Sequence, residues 1–235
     1  MNKDYQKINK PLVSVLMSVY NSESTVSKAI ESVLHQTYNN FEFLIIDDGS
    51  TDNTYETISS YRSDKIKIFK NNENIGLTKS LNYLSKKCNG QLIARQDADD
   101  LSMPEKLNVQ VKYLLSNNLA AVGSRAKILN TNKLTPSLSY YLPIKFQTLF
   151  KNPLIHGTLL INKSVFLNLG GYNEEYLFAQ DYKLLVDLLK NKYKIKILKD
   201  TLYELNVSNN ISSIYKAEQK EYFKRARKDY LTKFW

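Results

Sequence analysis

Ile93-Ala94-Arg95-Gln96-Asp97-Ala98-Asp99-Asp100-Leu101-Ser102-Met103-Pro104 is the stretch around which the chain is organised. It begins as the tail of an apolar strand and then delivers three carboxylates within four residues. Ser102, Pro104 and Glu105 follow as helix-start signals: a cap, a first-position proline and the reciprocal acid of a capping box. The implied geometry is a strand ending in an acidic turn, with a helix leaving from it. Carboxylates bunched in this way repel one another unless a cation neutralises them. A hard divalent ion suits such oxygen ligands and keeps positions open for substrate phosphates. A solvated acidic turn that caps a helix has the same local sequence, so the neighbouring stretches must decide.

Upstream, residues 12–19 form a β-rich apolar run, as expected of a buried parallel strand, and Tyr20-Asn21-Ser22 breaks it. A helix is expected from Ser24, with Val26, Ala29, Ile30, Val33 and Leu34 on one face. Residues 41–46 make a second strand that stops at Asp47-Asp48-Gly49, and a helix runs on to Tyr61. A short strand over 65–69, a loop over 71–76 and a helix over 77–87 lead into a strand over 91–95. Strands separated by helices of this length predict right-handed crossovers and a mainly parallel α/β sheet. Ligands in such sheets bind at the carboxyl ends of the strands, where these polar breaks fall together.

Downstream, 106–115 reads as an amphipathic helix and 120–129 as a strand. Residues 130–142 lack periodicity and contain Pro136 and Ser137, which predicts a loop that closes over a ligand. Residues 154–161 read as a strand carrying His156, either a structural histidine or a site residue. His35 sits at a helix end, where capping is its expected role. Asp181 opens a helix whose apolar residues include Leu184, Leu185, Leu188 and Leu189. An acid there caps free N–H groups, or acts as a general base.

Composition narrows the class. A chain of 235 residues suits one large domain and buries a sizeable core. Its single cysteine, Cys88, excludes an internal disulfide framework and points to a reducing, cytoplasmic setting, with Cys88 itself structural. Residues 1–10 are polar and lack the apolar core of a secretion signal, and no apolar run approaches the ~20 residues of a membrane span. The protein is therefore expected to be soluble, or peripheral at the inner face of the plasma membrane. The charge of +10, from 33 basic and 23 acidic residues, permits anionic partners. The lysines are scattered among acids and no nucleic-acid-binding module is recognisable, so nucleic acid is not an expected partner.

From 214 to 235 the composition turns basic and aromatic, with Tyr215, Gln219, Tyr222, Ala226, Tyr230 and Phe234 at helical spacing. Two roles fit: a helix packed on the catalytic domain, or an interfacial helix on an anionic membrane. The expected division is 1–213 as the catalytic domain and 214–235 as this helix.

Several separated motifs carry a resemblance. Val13-Ser14-Val15-Leu16-Met17-Ser18-Val19-Tyr20-Asn21, then Ser32-Val33-Leu34-His35-Gln36-Thr37-Tyr38, then Ile46-Asp47-Asp48-Gly49-Ser50-Thr51-Asp52 come first. Asn74-Ile75-Gly76-Leu77, Ala94-Arg95-Gln96-Asp97-Ala98-Asp99-Asp100 and Gly170-Gly171-Tyr172 continue in order. The chain resembles a family-2 glycosyltransferase of the GT-A fold over residues 11–207. The resemblance implies inverting transfer of a sugar from a nucleotide-sugar donor, commonly a UDP-sugar, to a glycan or lipid-linked glycan acceptor. Many members build bacterial capsule, O-antigen or lipooligosaccharide chains.

It also implies roles. Tyr20 stacks on uracil, Asp48 accepts from the uracil N3–H, and Ser18 lies beside them. Asp97 and Asp99 match the family's Asp-x-Asp, which reaches the ribose and holds Mg²⁺ or Mn²⁺ against the diphosphate, while Asp100 either contributes or caps the turn. Lys79 is either a phosphate partner or a solvated helix lysine, since many relatives carry an arginine near this position. His156 falls near the donor or acceptor pocket. Asp181 is the general base, although the family's usual Glu-Asp is Gln180-Asp181 here. A nucleotidyltransferase is the competing enzyme class, but its glycine-rich phosphate loop is missing from the turn Tyr20-Asn21-Ser22-Glu23. A catalytically inactive nucleotide- or glycan-binding module is the other alternative.

Overall fold

Strand β1 (Val13–Val19) and strand β2 (Phe41–Asp47) are buried along nearly their whole length, and alternate side chains feed two separate cores. Val13, Val15, Met17, Phe43 and Ile45 face a layer that includes α1 (Val26–Leu34) and α4 (Lys106–Ser116). Leu16, Leu44 and Ile46 face the other layer, with α3 (Leu77–Lys87) and α7 (Gln180–Lys190). The computed structural model describes residues 10–208 and 215–232.

The parallel half is as expected: β3 (Ile66–Lys70), β2, β1 and β4 (Leu92–Arg95) run in one direction, with α2 (Thr54–Ser59) between β2 and β3 in sequence. The sheet then turns mixed. Strand β8 (Leu160–Asn162) runs antiparallel to β4 and to β6 (Ala121–Ile128), while β6 pairs parallel with β9 (Ile195–Leu205). The edge strand β5 (Leu101–Ser102) pairs with β9, and β7 (Leu134–Thr135) lies beside β6. The short helices α5 (Ile144–Thr148) and α6 (Lys163–Asn168) connect these pieces. Register places the site: Val19 pairs with Asp47 and Leu16 with Arg95, so Tyr20, Asp48 and Gln96-Asp97 emerge at one edge.

Three local expectations are corrected. The capping box at Ser102 does not form, because Ser102 is in β5 and its Oγ donates to Gln96 Oε1 at 2.6 Å. Helix α4 starts at Lys106, as the 106–115 reading expected, but with no side-chain cap. The expected strand over 154–161 is a 3-10 turn at His156–Thr158 followed by the three-residue β8, and at Gly157 there is no room for a Cβ beside the Tyr203 ring. Residues 130–142 do not line the ligand cleft; they hold β7 and a 3-10 turn at Leu138–Tyr141.

The C-terminal helix α8 (Lys216–Leu231) is docked on α7. Ala226 and Tyr230 are buried, Phe223 stacks on Tyr182 with ring centroids 4.3 Å apart, and Asp229 bridges Lys183 and Lys190. These aromatics therefore face protein, as the packed-helix role requires. Phe234 and the boundary at 213 lie outside the described residues. Among the described residues no helix is long and apolar enough to cross a membrane.

Candidate active site

A cleft of about 1520 Å³ opens at the carboxyl ends of β1, β2 and β4. It is lined by Ser18, Tyr20, Asp48, Asp97, Asp99, His156 and Asp181. Lys79 is the predicted site residue that is not brought in: it is exposed on α3 and does not line the cleft.

At one end Tyr20 presents its ring, 46% exposed, beside Asp48. Asp48 is buried and its carboxylate organises the loop after β3. Asn71 Nδ2 (2.7 Å), the Ile75 N–H (3.1 Å) and Ser80 Oγ (2.9 Å) donate to Oδ1, and the Gly76 N–H (2.9 Å) donates to Oδ2. Gly49, at φ +75°, lets the turn pass beneath this loop, since a Cβ there would lie 2.5 Å from the Glu73 carbonyl carbon.

The acidic turn rests on a residue that sequence reasoning did not assign. Arg95 is fully buried; its Nη2 donates to Asp97 Oδ1 at 2.5 Å and its Nη1 donates to the Leu16 and Gln96 carbonyls. Its Nε donates to His156 Nε2 at 3.2 Å, and the Tyr172 hydroxyl meets the same nitrogen at 2.7 Å. Arginine only donates, so Nε2 is unprotonated and the imidazole proton sits on Nδ1. Burial and the adjacent Arg95 push His156 down to about 3, which keeps it neutral. Beneath lies Lys106, also buried, donating to the carbonyls of Arg95 (2.8 Å) and Gly157 (2.6 Å) over the Tyr203 ring. Burial pushes it down to about 7. A cation inside an otherwise apolar strand was the available signal for Arg95. Tyr172 stood in the Gly170-Gly171-Tyr172 motif without a role, and Lys106 and Tyr203 had no signal, because their roles depend on contacts across the sheet.

Asp97 keeps 28% of its side chain exposed despite the Arg95 pair. Burial, then the neighbouring Asp97, raises Asp99 to about 6. Asp100 is raised to about 8 by burial, Asp97 and Asp99, and its Oδ1 accepts the Asn206 N–H at 2.6 Å. These residues fit a divalent cation. Mutual repulsion is what such an ion relieves, and Asp99 faces the cleft with no donor from another of the described residues bonded to it. Among the described residues no group of three or more His, Cys, Asp or Glu is arranged to hold a metal, so substrate oxygens would have to complete the ligand set.

Asp181 stands in the first turn of α7, behind Ala179 in the left-handed region at φ +53°. The Tyr182 N–H donates to its Oδ1 (2.8 Å) and Asn152 Nδ2 donates to its Oδ2 (2.7 Å). Burial raises this carboxyl to about 6. Asn152 was not legible beforehand; it comes from a loop far away in sequence.

Residues 14–169 match the model of Glycosyl transferase family 2. The chain belongs to that family. An uncharacterized glycosyltransferase of Haemophilus influenzae is 31% identical over 95% of this chain and 74% of its own length. The UDP-Glc:alpha-D-GlcNAc-diphosphoundecaprenol beta-1,3-glucosyltransferase WfgD of Escherichia coli is 32% identical over 77% of this chain and 70% of its own. Among solved structures, the mannosyltransferase PcManGT of Pyrobaculum calidifontis, in complex with GDP-Man and Mn²⁺, superposes with a TM-score of 0.74. It covers 92% of this chain and 63% of that one at 18% identity, which shows the shared GT-A fold. The matched family segment contains the turns at Tyr20, Asp48 and Asp97–Asp99 as well as His156; Asp181 and α8 lie beyond it.

Proposed function

We propose that this glycosyltransferase moves a sugar from a nucleotide-sugar, a UDP-sugar, to a hydroxyl of a growing bacterial surface glycan, with inversion at the anomeric carbon. The observation that carries this reading is the placement of Asp99 and Asp181 on one cleft, with Tyr20 and Asp48 at its far wall. Tyr20 stacks on the base, Asp48 and Ser18 border it, and Asp97, anchored by Arg95, meets the ribose. Asp99, with Asp97 beside it, would hold Mg²⁺ or Mn²⁺, which supplies positive charge against the departing diphosphate. The His156 Nδ1–H is a neutral donor at the same wall.

Asp181 takes the proton of the acceptor hydroxyl as that oxygen bonds to the anomeric carbon and the bond from that carbon to the diphosphate breaks. A carboxyl raised to about 6 is ionised near neutrality yet more basic than a free aspartate, which favours proton abstraction. The acceptor of WfgD is a sugar on a lipid diphosphate, by that protein's description. We extend this acceptor class to the present chain. A panel of nucleotide-sugars with Mg²⁺ or Mn²⁺, reading nucleotide release with and without acceptor glycans, tests the activity, and the anomeric configuration of the product tests inversion. Release from none of the donors would refute the reading.

A further inference from the structure

Helix α8 does more than cover α7. Lys220, Lys224 and Arg227, spaced to share one face of the helix, line the same cleft as Asp181, together with Lys151 from the loop after α5. Among the described residues none of the four has an acid within ion-pair distance, and the helix acids Glu218, Glu221 and Asp229 do not line the cleft. Among the described residues the buried Nε of Arg227 has no hydrogen-bond partner. A buried donor left unmatched is destabilising, and a phosphate oxygen is one acceptor that would complete it. Lys151 belongs to a basic tract: from Lys106 to Asn173 the sequence contains eight Lys or Arg and no Asp or Glu.

These cations belong to the Asp181 side of the cleft. Phe223, on the same helix, stacks on Tyr182, the neighbour of Asp181, and Arg227 acts electrostatically on the Tyr182 hydroxyl. The basic face is therefore set against the Asp181 end of the cleft, while Tyr20 and Asp48 mark the nucleotide end. We propose that Lys151, Lys220, Lys224 and Arg227 form a second phosphate-binding site, which takes the phosphate or diphosphate to which the acceptor sugar is attached. This rests on the glycosyl-transfer reading for its meaning, and deepens it by naming the chemical handle on the acceptor. Phe150, on the cleft lining beside Lys151, is exposed and its ring meets that of exposed Phe146 at 5.2 Å, an apolar pair suited to the chain such a phosphate would carry.

The site is tested by binding alone, so its failure is distinct from failure of transfer. With saturating UDP occupying the donor site, calorimetric titration of inorganic pyrophosphate should show one further site whose affinity falls with added salt. Arg227→Gln should weaken it at least ~10-fold, as expected for a lost charge-assisted bond, with partial recovery in Arg227→Lys. Lys220→Gln, at an exposed position that does not threaten the fold, should weaken it by a smaller factor and guards against a misfolded Arg227 variant. Absence of the site when UDP is bound would overturn the proposal. So would a loss of UDP affinity in Arg227→Gln as large as the loss for pyrophosphate, because the cations would then serve the donor. Sedimentation with phosphatidylglycerol vesicles separates the remaining source of phosphate. If the variants lose vesicle adhesion while binding pyrophosphate normally, the cations contact lipid headgroups and the second site is wrong.

Discussion

At the nucleotide end of the cleft, Ser18, Tyr20, Asp48, Asp97 and Asp99 sit at or just beyond the ends of three adjacent parallel strands. At the opposite end, Asn152, Asp181 and Arg227 come from a loop, the first turn of α7 and the body of α8. The first group is aligned by backbone register, which a short motif carries within itself. The second is aligned by side-chain packing between segments far apart in sequence, such as the Tyr182–Phe223 stack. Strand-end sites are thus robust to change elsewhere in the chain, whereas the far end depends on how α7, α8 and the 150–155 loop fit together.

The largest expected effect breaks the nucleotide end. Asp99→Ala should reduce transfer at least ~10³-fold, the scale of several kcal/mol of lost charge stabilisation at the diphosphate. Chelation by EDTA should do the same, with Mg²⁺ or Mn²⁺ restoring the rate; full turnover in chelator would remove the metal from the account. Next comes the far end: Asp181→Asn keeps the shape but cannot accept a proton, so kcat should fall ~10²-fold while UDP affinity stays level. In the unaltered protein kcat/KM should rise with pH through about 6, since the base must be ionised, and the substitution should flatten that limb. The same shift acts on stability. Raised from 3.8 to about 6, the folded carboxyl still holds a proton that the unfolded chain has lost, so this group's contribution falls as pH rises across that interval.

A smaller effect probes the junction of the two ends. A methyl group at Gly157 would lie 2.1 Å from the hydroxyl oxygen of the fully buried Tyr203, which also receives the Asp97 N–H. Gly157→Ala should cost about 1–3 kcal/mol of stability in denaturant titration, as overpacking does. An unchanged unfolding midpoint would show that Tyr203 yields freely. The smallest effect sharpens the comparison: Asn71→Ala removes one of four donors to Asp48 and should cost about 1 kcal/mol, read as slightly weaker UDP binding. If that loop change hurt transfer more than Asp181→Asn, the robustness assigned to strand-end sites would be wrong.

The apolar runs that became β1, β2 and β4, the helices between them and the polar breaks after them were all legible in the sequence, because a strand buried on both faces has no freedom to hide its pattern. The acidic turn and its helix-proximal Asp181 were legible as residue types. Their surroundings were not. Ser102 and Glu105 carry good local capping chemistry, yet Ser102 was drawn into pairing with β9 and Gln96. The run at 154–161 has strand propensity, but it holds a 3-10 turn whose Gly157 packs too close to the Tyr203 ring for any side chain. Sequence alone left α8 with two roles, since aromatics at helical spacing suit lipid and protein equally; only the tertiary structure shows Phe223, Ala226 and Tyr230 packed against the domain. Arg95 beneath Asp97 and His156, Asn152 on Asp181, and the cations of α8 at the cleft exist as a site only through contacts between distant segments. Sequence spacing encodes neighbours along an element, while burial and pairing across elements are fixed by packing.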